Sequence, residues 1–281
     1  MKIGCVVSAL LYNFGYSPRA LVITAPGINC DLELCDAYAL AGATVETELL
    51  SRLARDPSRL DRVELIGLPG GFSYGDDIAA GRIMGQLIRQ TIYPALAAAI
   101  ERGVPMITPC NGFQIAVQAG LLPGPATGAR WPERPAMPTV ALTQNATARF
   151  NDVWTRVEIP RDTKCVWTRG LRFAAGTDLL PSAHGEGRLV ADDETIESLR
   201  ANGQVAVRYA EGDNFNGSLD RIAGICDPSG LVFGLMPHPE RYTRWTQHPR
   251  WTRLPAAARQ GFPPGLAMFR NAVAHVAAAR V

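Results

Sequence analysis

A cysteine in a strand-to-helix turn and a histidine–glutamate pair near the end of the chain are the residues whose types and spacing can do chemistry. The stretch 104–120 (VPMITPCNGFQIAVQAG) reads as a short buried strand from Val104 to Ile107, a tight turn over Thr108–Cys110, and a helix to about Gly120. A sharp strand-to-helix turn lifts Cys110 out of the sheet and aims it at the first free N–H groups of the helix. Those groups and the helix dipole favour a thiolate. Gly112, two residues on, lets the helix start close to the strand. This is the geometry of a cysteine nucleophile. A lone thiol at the end of an apolar strand also has a plainer reading, an inert buried side chain.

The nucleophile reading gains because the chain supplies a base and an oxyanion site. In the stretch 234–241 (GLMPHPER), His238 and Glu240 are two apart, so in an extended segment both project to one side. Pro237 and Pro239 stiffen that segment and keep it out of a helix. A histidine oriented by a carboxylate provides the proton traffic that a thiol nucleophile requires. His184 and Glu186 form a rival pair of the same spacing, in a glycine-rich turn rather than at the end of a core strand. His238 is therefore preferred. His248 and His275 lack an acidic partner at useful spacing and read as surface or packing residues. The glycine-rich turn at 69–75 (PGGFSYG) follows a parallel strand, so it lies at the same carboxyl edge as Cys110. There the backbone N–H groups of Gly71 and Asn111 can converge on one oxygen.

With 281 residues, 47% hydrophobic and 19% charged, the chain can bury a large core. The net charge is only +2, which gives no sign of a nucleic-acid partner. Lys2 and Lys164 are the only lysines, so no Gly-x-x-x-x-Gly-Lys phosphate loop can be drawn. The six cysteines sit in a chain too long for a small disulfide scaffold. Met1–Leu11 matches a signal peptide poorly, and no run of about 18 apolar residues marks a membrane span. No Cys-x-x-Cys or His-x-x-x-His pair appears, and Cys30 and Cys35 lack a second metal-ligand pair. The expectation is a reduced, cytoplasmic, metal-free enzyme or enzyme subunit.

The elements that must position these residues follow from patterning. Residues 1–18 read as an irregular or strand-like N-terminal extension. Ala20–Thr24 is a continuous β-prone run, the mark of a strand buried on both faces. A turn at 26–31 leads into a helix to about Ala41, closed by Gly42. Thr44–Leu49 and Arg62–Leu68 supply two more strands, and Asp76 or Asp77 caps a long helix to about Glu101. Strand and helix alternate four times, which predicts an α/β fold: a mostly parallel sheet with helices on both faces. After a proline-rich loop at 121–136, short β segments at 140–142, 153–159, 189–191, 205–209, 222–226 and 231–236 add antiparallel strands. Helices are predicted over Glu194–Ala201 and Pro264–Ala279. The whole of 19–281 reads as one domain, with its core at about 20–250 and a C-terminal helical extension.

The elbow at 110–114 (CNGFQ) with His238-Pro-Glu240 resembles the class I (triad) glutamine amidotransferases, whose fold is flavodoxin-like. More narrowly, the chain is similar to the glutaminase-subunit family of phosphoribosylformylglycinamidine synthase (PurQ type). That likeness rests on 26–31 (PGINCD), 68–76 (LPGGFSYGD), 145–150 (NATARF), 183–188 (AHGEGR), 203–209 (GQVAVRY), 216–225 and 234–241, in order over roughly residues 20–250. One departure is that Thr108, followed by Pro109, stands where the family has glycine.

The resemblance implies that Cys110 attacks the side-chain amide of L-glutamine, with Gly71 and Asn111 holding the oxyanion. His238 would serve the leaving ammonia and Glu240 would orient it, while Gln114 helps shape the glutamine site. No cofactor is implied in this chain; ATP and Mg belong to a partner synthetase subunit, which a small accessory subunit accompanies. Two other readings are a solitary γ-glutamyl cysteine hydrolase of the same fold and a non-catalytic scaffold subunit. The first has no use for the turns at 26–31 and 183–188, and the second does not need the intact triad.

Overall fold

Apolar runs that read as doubly buried strands become the interior of a nine-stranded sheet. The computed structural model describes residues 16–280. The expected extension at 1–18 lies outside the described residues except for its last three. In chain order, β1 (Arg19–Thr24), α1 (Asp31–Ala41), β2 (Thr44–Leu49), the single turn α2 (Leu50–Leu53) and β3 (Leu65–Gly67) come first. They are followed by α3 (Arg82–Thr91), α4 (Tyr93–Glu101), β4 (Met106–Pro109) and α5 (Asn111–Ala119). The second half adds β5 (Val140–Gln144), β6 (Asn151–Glu158), β7 (Leu179–His184), β8 (Glu186–Ala191) and α6 (Asp193–Ala201). It closes with β9 (Val205–Tyr209), β10 (Ile222–Cys226), β11 (Val232–Leu235) and α7 (Pro264–Ala278).

The strand order is β2-β1-β3-β4-β11-β10-β9-β6-β7, and β5 pairs with β8 in a separate ribbon. The first five strands run parallel, and every pairing from β11 outward is antiparallel. Leu21, Val22 and Ile23 are all buried although successive side chains point to opposite faces, so both faces must be covered. Two helical layers do this, α1 packing with α7 and α3 with α5. Tyr38 of α1 meets Phe269 of α7 edge to face at 5.2 Å, and its hydroxyl donates to the carbonyl of Ile66 in β3. The buried residues Leu266, Met268, Phe269 and Val273 show that α7 closes the core.

Two expectations are revised. The helix predicted from Asp76 or Asp77 to Glu101 is two helices, beginning only at Arg82 and broken at Ile92. Gly81 holds a left-handed conformation just before α3, and Pro94 occupies a first-turn position of α4, where its missing N–H is harmless. Asp76 caps no helix and belongs to a loop at the sheet edge. The glycine-rich turn expected around His184 is in fact the end of β7, separated from β8 by Gly185 alone.

The elbow depends on one close approach. A Cβ on Gly112 would stand 2.0 Å from the carbonyl oxygen of Leu68. Gly112→Ala is expected to destabilise the chain by about 3 kcal/mol or more, through forced movement of α5 against the β3 loop. Denaturant melts check it against Gly103→Ala, where nothing lies within 4 Å and φ is +89°. That control costs only left-handed strain, about 1–2 kcal/mol.

Candidate active site

β1, β3, β4 and β11 are neighbours and parallel, so the loops leaving their carboxyl ends meet along one edge. Such an edge is where ligands bind in open α/β sheets. It gathers Cys30 after β1, Gly70 and Gly71 after β3, Cys110 after β4 and His238 after β11.

Cys110 occupies the single residue between β4 and α5, at φ 51° and ψ −112°. For a residue with a Cβ this is a strained conformation, held because surrounding bonds over-determine it. Its N–H donates to Leu235 O at 2.7 Å, and its carbonyl accepts from Phe113 N at 2.9 Å. The thiol lies 3.6 Å from the carbonyl oxygen of Ala183. Asn111 is the first residue of α5, so its N–H is among those without an intrahelical partner. Gly71, at φ +140°, lines the same cavity as Cys110.

His238 is anchored through its backbone N–H to Pro181 O at 2.7 Å. Its Nδ1 meets Glu240 Oε1 at 2.6 Å, and both residues are 2% exposed. Burial opposes protonation of the ring. The Glu240 carboxylate and then Cys110 outweigh burial and raise the His238 pKa well above its usual value. The segment is not extended throughout, as expected from its prolines: Pro239–Arg241 forms a 3-10 turn with proline at its first position. Glu240 still reaches His238. Cys30 flanks the other side of this group, its sulfur accepting from Arg241 Nη2 at 3.0 Å. The donor atoms of Cys30, His238 and Glu240 lie within 4.8 Å of one another. The imidazole and carboxylate satisfy each other there, and an arginine occupies the thiol.

A cavity of about 240 Å³ opens on Cys110 and is lined also by Gly71, Asp76, Gln114, His184 and Glu186. Phe72 and Phe150 stand exposed at its mouth with ring centroids 6.4 Å apart. Volume alone does not choose the site: a cleft of about 390 Å³ beside Arg19, Arg59 and Arg62 lies at the amino end of β1, away from the nucleophile. Gln114, the expected substrate contact, acts as a strut at the cavity wall. Its Oε1 accepts from Asn111 Nδ2 at 2.8 Å and its Nε2 donates to the carbonyl of Glu186. The Asn111 side chain also ties down the β3 loop, accepting from Ser73 N at 3.0 Å.

The rival pair does not act as a pair. His184 Nδ1 faces Asn145 Oδ1 at 3.0 Å, while a Glu186 carboxylate oxygen accepts from Ala80 N at 3.3 Å. Burial, helped by His238, pushes the His184 pKa down to about 3, so its ring is neutral near pH 7. His248 packs between Trp154 and Tyr242, and its Nε2 lies 3.0 Å from Gly176 O. No spacing in the sequence assigns a role to Cys30 or Arg241, and it offers Glu186 only as the partner of His184. All three stand in stretches that carry the family likeness, which is the signal that could have found them. Among the described residues, no helix is long and apolar enough to cross a membrane.

Residues 17–276 match the CobB/CobQ-like glutamine amidotransferase domain family. The phosphoribosylformylglycinamidine synthase subunit PurQ of Dehalococcoides mccartyi is 38% identical over 264 residues, covering 91% of this chain and 96% of that protein. The same subunit of Corynebacterium jeikeium is 44% identical over 228 residues, covering 79% and 87%. The solved structure of PurLQS from Thermotoga maritima superposes with a TM-score of 0.67 at 32% identity, over 92% of this chain and 99% of that one. With the elbow, the buried imidazole–carboxylate pair and these relatives together, the chain belongs to the CobB/CobQ-like glutamine amidotransferases and, within them, to the PurQ subunits.

Proposed function

We propose that this chain is the glutaminase half of a two-part synthase, and that Cys110, His238 and Glu240 do its chemistry. The observation that carries the reading is the buried His238–Glu240 pair beside a thiol held in a strained strand-to-helix elbow. The Cys110 thiolate attacks the side-chain carbonyl carbon of L-glutamine. The developing oxyanion is met by the N–H groups of Gly71 and Asn111. His238 gives its proton to the departing nitrogen, which leaves as ammonia, and a γ-glutamyl thioester remains on Cys110. Water then attacks the thioester with His238 taking its proton, and glutamate leaves as the thiolate re-forms. Glu240 holds the ring in orientation and stabilises its protonated form.

Ammonia passes to a synthetase subunit, where ATP and Mg support conversion of formylglycinamide ribonucleotide to the amidine. A small accessory subunit completes the complex, in the cytoplasm. The relatives' names and the PurLQS complex support this division of labour. The absence of a lysine phosphate loop agrees with it.

The test is glutamate release from glutamine by this chain, alone and with the synthetase, ATP and formylglycinamide ribonucleotide. Release should rise at least about tenfold when the partner is engaged, because closing such a site is a conformational step. High turnover by the chain alone, unchanged by the partner, would instead support a solitary γ-glutamyl hydrolase.

A further inference from the structure

Asp76 and Glu186 face the nucleophile's cavity with charge that the protein leaves unbalanced. Both line the 240 Å³ cavity, and no lysine or arginine lines it with them. Each carboxylate spends one oxygen on the framework. Asp76 Oδ1 accepts from Gly81 N at 3.3 Å and Asn111 Nδ2 at 3.2 Å, and Glu186 Oε2 accepts from Ala80 N at 3.3 Å. Asp76 Oδ2 and Glu186 Oε1 have no hydrogen-bond partner among the described residues. Burial first, and the Glu186 carboxylate as well, hold Asp76 above the ordinary carboxylate range, against the hydrogen bonds from Gly81 and Asn111.

A second observation points the same way. His184 lines this cavity, is 3% exposed, and its Nε2 is buried without a partner among the described residues. Asn145 Nδ2 donates to the carbonyls of Arg149 and His184, so Asn145 Oδ1 is the acceptor and His184 Nδ1 carries the hydrogen. That leaves Nε2 as a bare acceptor. Gln114 is already satisfied at both ends. The polar side-chain atoms left over around Cys110 are therefore acceptors, two of them on carboxylates. A ligand that suits them is cationic and rich in N–H donors.

We infer that Asp76 and Glu186 seat the α-ammonium of the amide substrate and so set the preference for glutamine over primary amides lacking an α-amino group. This rests on the glutamine reading above. It also gives the 183–188 stretch a use: β7 and β8, joined through Gly185, carry Glu186 to the cavity. Asp76 arrives from the opposite wall, on a loop where Tyr74, Gly75 and Asp76 all take positive φ.

The experiment compares L-glutamine with glutaramate, the same molecule without its α-amino group, as substrates for the chain assembled with its synthetase, following ammonia release. Wild type should favour glutamine by at least about 100-fold in kcat/KM. Asp76→Asn and Glu186→Gln should each raise KM for glutamine about 10- to 100-fold, the scale of one charge-assisted hydrogen bond. Their kcat on glutamine, and their kcat/KM on glutaramate, should stay within about threefold of wild type. If the variants keep the wild-type ratio between the two substrates, or lose both activities equally, the carboxylates are struts and this inference falls while the glutamine reading stands. If the wild-type assembly releases ammonia from neither substrate, the glutamine reading falls and takes this inference with it.

Discussion

Cys110→Ala removes glutamine-dependent amidine formation, a fall of at least about 10⁴-fold, while formation driven by added ammonia stays within about twofold. The size follows from the roles: without a nucleophile no thioester forms, and positioning and oxyanion stabilisation alone act on water, a far poorer attacker. The nearest rival thiol, Cys30, flanks His238 on its other side and holds a hydrogen bond from Arg241. It does not line the cavity, so it is not placed to substitute. Intact-mass analysis after rapid quenching should find the γ-glutamyl adduct on wild type and none on the variant. Retained glutamine-dependent synthesis in Cys110→Ala would remove the nucleophile assignment and put the scaffold reading in its place.

His238→Asn should lower glutamine-dependent turnover by about 10³-fold, since the thiolate's partner and the proton donor to ammonia go together. Glu240→Gln keeps the ring and removes its charge partner, and should cost about 10- to 100-fold. The pH profile separates the two roles. Glu240, with Cys110, raises the His238 pKa against the opposing effect of burial, so the protonated ring persists toward alkaline pH in the wild type. Removing the carboxylate leaves burial less opposed, so the pKa falls and the alkaline limb of kcat/KM moves to lower pH in Glu240→Gln. An alkaline limb that does not move would show that Glu240 only holds the ring in place. The buried 2.6 Å contact argues that it does more.

Chemistry carried on short, contiguous stretches is legible in the amino-acid sequence. Cys110 with its elbow needs only a strand, a turn and a helix in succession, and His238 with Glu240 only a spacing of two. Both fall at strand ends, and parallel topology places the carboxyl ends of β4 and β11 side by side. The boundaries of β2, β9 and β10 match their apolar runs. Strand β7 is hidden in the sequence because Pro181 interrupts it, and proline is tolerated there since β7 is the last strand of the sheet. The helix predicted to start near Asp76 shows the complementary failure. An aspartate before a periodic stretch reads as a cap, and nothing local tells that three positive-φ residues turn the chain into a loop first.

What the residues alone determined was the alternating α/β architecture, the nucleophile, its base and orienting carboxylate, and the family. Each of these is written in local periodicity, local turn chemistry or a run of neighbouring residues. What the tertiary structure decided was partnership across long separations. Asn145 meets His184, Asp76 and Glu186 line one cavity, and α7 packs on α1. The same distinction separates two pairs of identical spacing: His238 finds Glu240, whereas His184 turns to Asn145 and Glu186 to the backbone of Ala80. A spacing of two restricts direction only within a segment. Which partner a side chain meets depends on what the sheet order brings alongside it, and that is a property of the whole fold.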